Sequence, residues 1–218
     1  MPNTALAPRR RKPGRTSDPA GTRDDILKIA TSEFARKGLA GARIDEIAAL
    51  TQTSKRMIYY YFTNKQGLYL AVLEHAYLNI RSIESSLKLD SLSPEDAVRT
   101  MVGFTFDYQA GNPDFVRLVM NENIHHGKYL AQSASIKDLN VTAIKAIEDI
   151  YGRGCKQGLF RPDLDPIDIH ASISALSFFN VANQYTFSLI FKRDTQTAEA
   201  HAERRENVIQ MVLRYLRK

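Results

Sequence analysis

The sequence predicts an all-α protein, and three observations lead to that prediction. Apolar residues recur at helical spacing through most of the 218 residues. A capping side chain stands directly before Pro94, Pro113 and Pro166, which is typical of the start of a helix. No stretch alternates polar and apolar residues long enough to indicate a strand. We expect about nine helices, with an N-terminal three-helix unit followed by a larger helical domain.

The helix boundaries follow from capping residues and glycines. Thr22 and Asp25 resemble a capping box, Gly38 ends the first helix, and Asn64 caps a long one. The expected helices run from Thr22 to Gly38, from Ile44 to the turn at Thr51, from Lys55 to Phe62, from Lys65 to about Ser86, and near 94–110, 113–125, 136–157, 166–191 and 197–217.

Residues 44–65 predict two short helices separated by a tight polar turn. Ile58 and Phe62, four residues apart, can hold the second helix to a core, which leaves Lys55, Arg56 and Tyr59 facing outward. Two cations can reach phosphates or guanine acceptors, and a phenol ring can contact a thymine methyl or a phosphate. The pattern fits a helix-turn-helix that binds DNA, and it fits an ordinary surface helix with solvated charges equally well.

Residues 22–77 resemble the DNA-binding domain of the tetracycline-repressor (TetR) family of transcriptional regulators. The matching positions are Phe34, Gly38, Ile47, Ala48, the run from Ser54 to Lys65, Leu68, Ala71 and Val72. The resemblance implies contacts with base edges from Lys55, Arg56, Met57 and Tyr59. It implies contacts with phosphates from Arg43, Ser54, Tyr60, Tyr61 and Lys65.

Three positions depart from the family pattern. Arg43 stands where a hydroxyl residue usually caps the second helix, so the cap is lost but a phosphate remains within reach. Gln52 replaces the usual turn glycine and should adopt a less favourable backbone conformation. Tyr61 replaces a histidine and cannot carry a positive charge.

The net charge of +6 is concentrated at the N-terminus. Residues 1–17 contain five cations and no acid, and prolines throughout the segment argue against helix. We expect residues 1–21 to form a flexible basic arm that contacts DNA phosphates or the minor groove, with a solvated tail as the alternative. We assign residues 22–66 to the DNA-binding domain and residues 67–218 to a ligand-binding and dimerisation domain.

The last two predicted helices suggest self-association. Residues 167–191 are apolar on almost every side, and the final helix carries a stripe of Val208, Ile209, Val212 and Leu216. The TetR resemblance implies a homodimer through these two helices, while a monomer core is the alternative. A two-fold dimer requires a palindromic operator in double-stranded DNA.

The middle helices combine aromatic and polar residues in the manner of a small-molecule pocket. The resemblance implies a pocket between these helices, although plain core packing is the favoured explanation for each aromatic taken alone. The stretch PDFVRLVMNENIHHG bears a faint likeness to the pyrimidine-utilisation regulators, which does not identify an effector. The expected ligand-binding residues are Phe104, Tyr108, Asn121, Glu122, His125, Phe178, Phe179 and Asn183.

Several other classes of function find little support. Cys155 is the single cysteine, which excludes an intrachain disulfide, and Glu122 with His125 forms one isolated pair that could bind a metal or transfer protons. We expect no cofactor, no metal and no catalysis, and a core position for His75. With no signal-peptide pattern and no membrane span, we expect a soluble, cytoplasmic protein.

The interpretation is a dimeric, ligand-responsive regulator of transcription, with repression favoured over activation. The alternative is a helical small-molecule-binding protein with only non-specific affinity for DNA. A helical enzyme is a more distant alternative, because no convergent catalytic set is present.

Overall fold

A computed structural model of the chain describes residues 19–218, and this part contains ten α-helices and no strand. Two short 3-10 turns, Leu89–Ser91 and Leu130–Gln132, join neighbouring helices. The helices are α1 (Pro19–Gly41), α2 (Ile44–Leu50), α3 (Lys55–Phe62), α4 (Lys65–Ser85), α5 (Pro94–Gly111), α6 (Pro113–Ile124), α7 (Ala134–Lys156), α8 (Pro166–Ala182), α9 (Gln184–Phe191) and α10 (Ala198–Leu216).

The first helix begins earlier than predicted. It starts at Pro19 rather than Thr22, because proline suits the first turn of a helix and lacks only an N–H that would have no partner there. The rest of the predicted basic arm lies outside the described residues. Gly38 has φ +64° and ψ 175°, so the backbone leaves the helical conformation where the sequence predicted an end.

The predicted single helix over 166–191 was wrong, because the structure divides it into α8 and α9. Asn183 lies between them with φ −108° and ψ 5°. Neither proline nor glycine marks this break, and residues that are apolar on every side have no periodicity that could reveal it. The division raises the helix total for residues 19–218 from about nine to ten.

One hydrophobic core holds the N-terminal helices together. Phe34 of α1 and Tyr69 of α4 meet edge to face with ring centroids 5.1 Å apart. Leu118 of α6 and Ile136 of α7 belong to the same buried cluster. The N-terminal helices therefore share their core with helices that the sequence assigned to the other domain.

A second core lies between α5, α7, α8 and α10. The predicted stripe of Val208, Ile209, Val212 and Leu216 is buried in this core, so it is not available to a partner. The chain end is joined to residues 159–161, because the N–H of Arg161 donates to the carbonyl oxygen of Leu216 at 2.8 Å.

Candidate nucleic-acid interface and effector cavity

Helix α3 is held by one cap and two buried side chains. The Oγ of Ser54 accepts a hydrogen bond from the backbone N–H of Met57 at 3.2 Å. Ile58 and Phe62 are buried, as the four-residue spacing predicted. These anchors determine which side of α3 faces outward.

The outward side of α3 carries the predicted DNA-contacting residues. Lys55, Arg56, Met57 and Tyr59 are exposed, and Tyr60 is 76% exposed. Tyr61 is half-buried and lies edge to face with Tyr60, with ring centroids 5.4 Å apart. A row of cations and phenol rings therefore faces solvent along one helix.

An exposed carboxylate lies beside this row. The Oδ1 of Asp45 is 2.5 Å from the Nζ of Lys55, and its Oδ2 is 3.8 Å from an Nη of Arg43. The hydrogen bond from Lys55 holds the pKa of Asp45 below its usual range. A phosphate must therefore compete with Asp45 for both cations.

Two predicted departures from the family pattern have the expected consequences. Gln52 adopts φ +52°, the left-handed region that glycine occupies more easily. Arg43 precedes α2 in an extended conformation and makes no side-chain capping bond. The turn and the helix start are therefore formed without their usual residues.

The junction between α3 and α4 is tight. Thr63 has φ +64° and ψ −52°, and the N–H of Asn64 donates to the carbonyl oxygen of Phe62 at 2.6 Å, which defines a γ-turn. A Cβ on Gly67 would overlap that same carbonyl oxygen. The Nζ of Lys65 donates to the carbonyl oxygen of Ala40 at 3.2 Å, so this predicted phosphate contact already joins α4 to α1.

A cavity of about 780 Å³ lies between α5, α8, α9 and α10. Of the eight predicted ligand-binding residues, Phe179 and Asn183 line it. Aromatic rings of Phe106 and Phe187 form other parts of the wall, and α10 contributes Arg204. Its volume is that of a small-molecule site.

Three predicted ligand-binding residues lie in or beside the helical core instead. Phe104 packs on Tyr108 with ring centroids 5.7 Å apart, and the Tyr108 hydroxyl accepts a hydrogen bond from Asn79 at 3.2 Å. Burial raises the pKa of Tyr108 above its ordinary value. Phe178 is half-buried on α8 and is not part of the cavity wall.

Asn121, Glu122 and His125 are also outside this cavity. The Asn121 amide donates to the carbonyl oxygen of Phe34 at 3.3 Å. Glu122 is 2% exposed, and its Oε2 accepts the N–H groups of Tyr129 and Leu130 at 3.1 and 2.9 Å. His125 is exposed at the end of α6. The end of α6 therefore contacts α1 through Asn121 and the segment that follows α6 through Glu122.

Burial raises the pKa of the Tyr69 hydroxyl, and the nearby Glu122 carboxylate raises it further.

His75 is exposed, so its predicted core position was wrong. Within residues 19–218, no group of three or more His, Cys, Asp or Glu side chains could hold a metal ion. No helix in the same part of the chain has the length and apolar character needed to cross a membrane.

Two family models match the chain and cover most of the described part. Residues 26–72 match the model of bacterial regulatory proteins of the TetR family. Residues 94–212 match the tetracyclin repressor-like C-terminal domain. The chain belongs to the TetR family of transcriptional regulators.

Individual TetR-family relatives agree with this assignment. The HTH-type transcriptional repressor NicS of Pseudomonas putida is 36% identical over 197 residues, which cover 90% of this chain and 93% of NicS. The HTH-type transcriptional regulator RutR of Escherichia coli is 30% identical over 97 residues, which cover 44% of this chain and 45% of RutR. A TetR-family regulatory protein from Rhodococcus RHA1 has the same fold, with a TM-score of 0.71 and 19% identity. The match covers 92% of this chain and 98% of the Rhodococcus protein.

Sequence reasoning missed the part of this TetR-family cavity that lies on α10. His201 and Arg204 line it, and both precede the buried Val208 on one face of the helix. That spacing was a signal in the sequence, since it extends the apolar stripe with polar residues. Ser177 also lines the cavity, but nothing in the local pattern distinguishes it from other small residues of α8.

Proposed function

We propose that this chain is a dimeric transcriptional repressor, a regulator rather than an enzyme, that leaves a palindromic operator when a small molecule binds. The observation that carries the proposal is the outward row on α3, which Ile58 and Phe62 orient toward solvent. Side chains from the start of such a helix reach base edges, and neighbouring cations hold phosphates. Two copies related by a two-fold axis would occupy successive major grooves.

The exposed apolar side chains of α8 and α9 support the dimer. Leu189, Ile190 and Phe191 are each more than half exposed in the single chain, and no residue of α9 is buried. Large apolar side chains that face water in this number indicate a surface that another molecule covers. Because the α10 stripe is internal, we assign the dimer interface to the outer sides of α8 and α9, with Met211 from α10.

The contacts of α6 support a route from the effector to DNA. Pro113 at the start of α6 lines the cavity, while Asn121 and Glu122 at its other end contact α1 and the segment after α6. A ligand that favours one position of α6 would favour one spacing of the two recognition helices. Its effect is limited by its difference in affinity for the two arrangements.

The test begins with DNA fragments selected by the purified protein and mapped by footprinting. We expect a protected palindrome. Tyr59→Ala and Lys65→Ala should each weaken operator binding about tenfold, the loss of one contact of about 1.4 kcal/mol, while leaving the dimer folded. Gel shifts at one fixed salt concentration measure this change.

The matched control is Lys137→Ala, which removes a cation from the exposed surface of α7. Its operator affinity should equal that of the unmodified protein. The proposal fails if selection returns no common sequence, or if Tyr59→Ala and Lys137→Ala bind the selected operator equally well.

A further inference from the structure

The cavity wall contains one guanidinium group that has no carboxylate partner among the described residues. The Nε of Arg204 donates to the Oδ1 of Asn180 at 3.1 Å, which is a neutral acceptor. The acids on the wall are already paired, Asp107 with Arg205 at 2.9 Å and Glu203 with Arg193 at 3.7 Å. Arg204 therefore contributes an uncompensated positive charge to a partly enclosed space.

A buried hydroxyl group lines the same cavity. Ser177 is 1% exposed, and its Oγ has no hydrogen-bond partner within the part of the protein that the structure describes. Buried polar atoms are nearly always hydrogen-bonded, so an orphaned hydroxyl on a cavity wall points to a partner that occupies the cavity. The unpartnered hydroxyl of Ser177 is a second indication of a ligand, independent of the charge on Arg204.

The remaining wall is aromatic. Phe106 is buried, and Phe179 and Phe187 lie edge to face with ring centroids 5.8 Å apart. Aromatic rings pack well against another flat apolar surface. A volume of about 780 Å³ is larger than a single six-membered ring requires.

We propose that this cavity binds an organic carboxylate with a flat, apolar aromatic body. The guanidinium of Arg204 holds the carboxylate, the hydroxyl of Ser177 donates a hydrogen bond to it, and the rings of Phe106, Phe179 and Phe187 contact the body. The inference rests on the proposed function, because it names the class of effector that this regulator takes.

The experiment measures binding of two matched probes to the full chain by calorimetry. 2-Naphthoate carries the carboxylate, and 2-naphthamide has the same shape without the charge. We expect naphthoate to bind at least about tenfold more tightly, as a charge-assisted hydrogen bond would provide. Ser177→Ala should weaken naphthoate binding several-fold.

Arg204→Gln should reduce naphthoate affinity to that of the amide, and Arg204→Lys should retain part of the difference. The control is Arg214→Gln, which makes the same change on an exposed part of α10 outside the cavity wall and should leave the difference intact. Equal binding of the two probes, no binding of either, or a preference for naphthoate that survives Arg204→Gln would overturn the inference.

Operator binding measured on the same preparations separates this inference from the proposed function. Specific operator binding without any naphthoate binding refutes the ligand class and leaves the repressor proposal standing. Naphthoate binding through Arg204 in a protein that selects no operator supports the ligand class and refutes the repressor proposal.

Discussion

The helices α3 and α9 are both eight residues long and both rich in aromatic residues, yet they meet their surroundings in opposite ways. Ser54 caps α3 through its side chain, whereas Asn183 makes no such bond at the start of α9. Two residues of α3 are buried, and none of α9 is. The first helix is therefore anchored by buried side chains and a side-chain cap, and the second has neither.

The chemistry of the outward side separates the two helices more clearly than the degree of exposure. Tyr60 on α3 is 76% exposed and Leu189 on α9 is 79% exposed. A phenol and the neighbouring cations are stable in water and available to phosphates, whereas an exposed leucine gains free energy when it is covered. This difference in chemistry supports the proposed nucleic-acid contact of α3 and the proposed contact of α9 with a second protein surface.

The largest effect should follow from a charge on α9. Leu189→Lys places an ammonium group in the proposed interface twice, because a two-fold dimer carries every substitution in both copies. At about 2 kcal/mol per copy, dimer affinity falls about a thousandfold. Analytical ultracentrifugation measures the change. Tyr60→Lys, at equal exposure on α3, should leave the dimer intact, and a dimer that tolerates Leu189→Lys contradicts the comparison.

The next effect concerns how α3 is positioned. A Cβ at residue 67 overlaps the carbonyl oxygen of Phe62, so Gly67→Ala should cost about 1–3 kcal/mol of unfolding free energy and weaken operator binding. Gly152→Ala is the control, because a Cβ there meets open space inside α7 and should stabilise the protein by about 1 kcal/mol. Chemical denaturation measures the free energy of unfolding of both variants. An unchanged value for Gly67→Ala would contradict the tight junction between α3 and α4.

A smaller effect tests the two helix starts directly. Ser54→Ala removes a side-chain cap and should cost about 1 kcal/mol of unfolding free energy. Asn183→Ala removes no capping bond and should cost only a few tenths of a kcal/mol. Denaturant titrations of the two variants should therefore differ. Equal losses would show that both helices depend on their caps to the same degree.

The smallest effect concerns the carboxylate beside α3. Asp45→Asn releases Lys55 and Arg43, so affinity for DNA should rise several-fold, and the slope of log affinity against log salt should become steeper by about 1. Fluorescence anisotropy at several salt concentrations measures both. Asp138→Asn, an equal charge change on exposed α7, should alter neither quantity.

The same carboxylate gives a pH dependence with a defined sign. The pKa of Asp45 is lowered, so its ion pair with Lys55 is complete above the ordinary carboxyl pKa and is lost as the pH falls through the lowered value. The gain from Asp45→Asn should therefore shrink on acidification. A gain that is constant from neutral to acidic pH would show that Asp45 does not restrain these cations.

The sequence allowed α3 to be predicted almost completely, because its determinants are local. The spacing of Ile58 and Phe62 and the position of Ser54 are visible within nine residues. Gln52 was predicted to be strained because the family pattern has glycine there, and its φ of +52° agrees. Thr63 was not recognised, since no rule predicts a γ-turn from a β-branched residue.

The cavity was predicted less well, because its wall depends on how distant helices pack. Glu122 looked like a ligand contact, but its Oε2 accepts the backbone N–H groups of residues seven and eight positions later. Arg204 and Ser177 line one cavity only after α8 and α10 have packed. No local pattern in the sequence predicts that residues of α8 and α10 form one cavity wall.

The shared core of α1, α4, α6 and α7 has a consequence for engineering. Leu118 and Ile136 belong to the buried cluster around Phe34. A fragment that ends at residue 66 would therefore expose apolar side chains of this cluster to water. A chimaera that exchanges operator preference between relatives should therefore keep each N-terminal unit with its own α6 and the start of α7. The N-terminal helices cannot be exchanged as an independent module, because they share a hydrophobic core with α6 and α7.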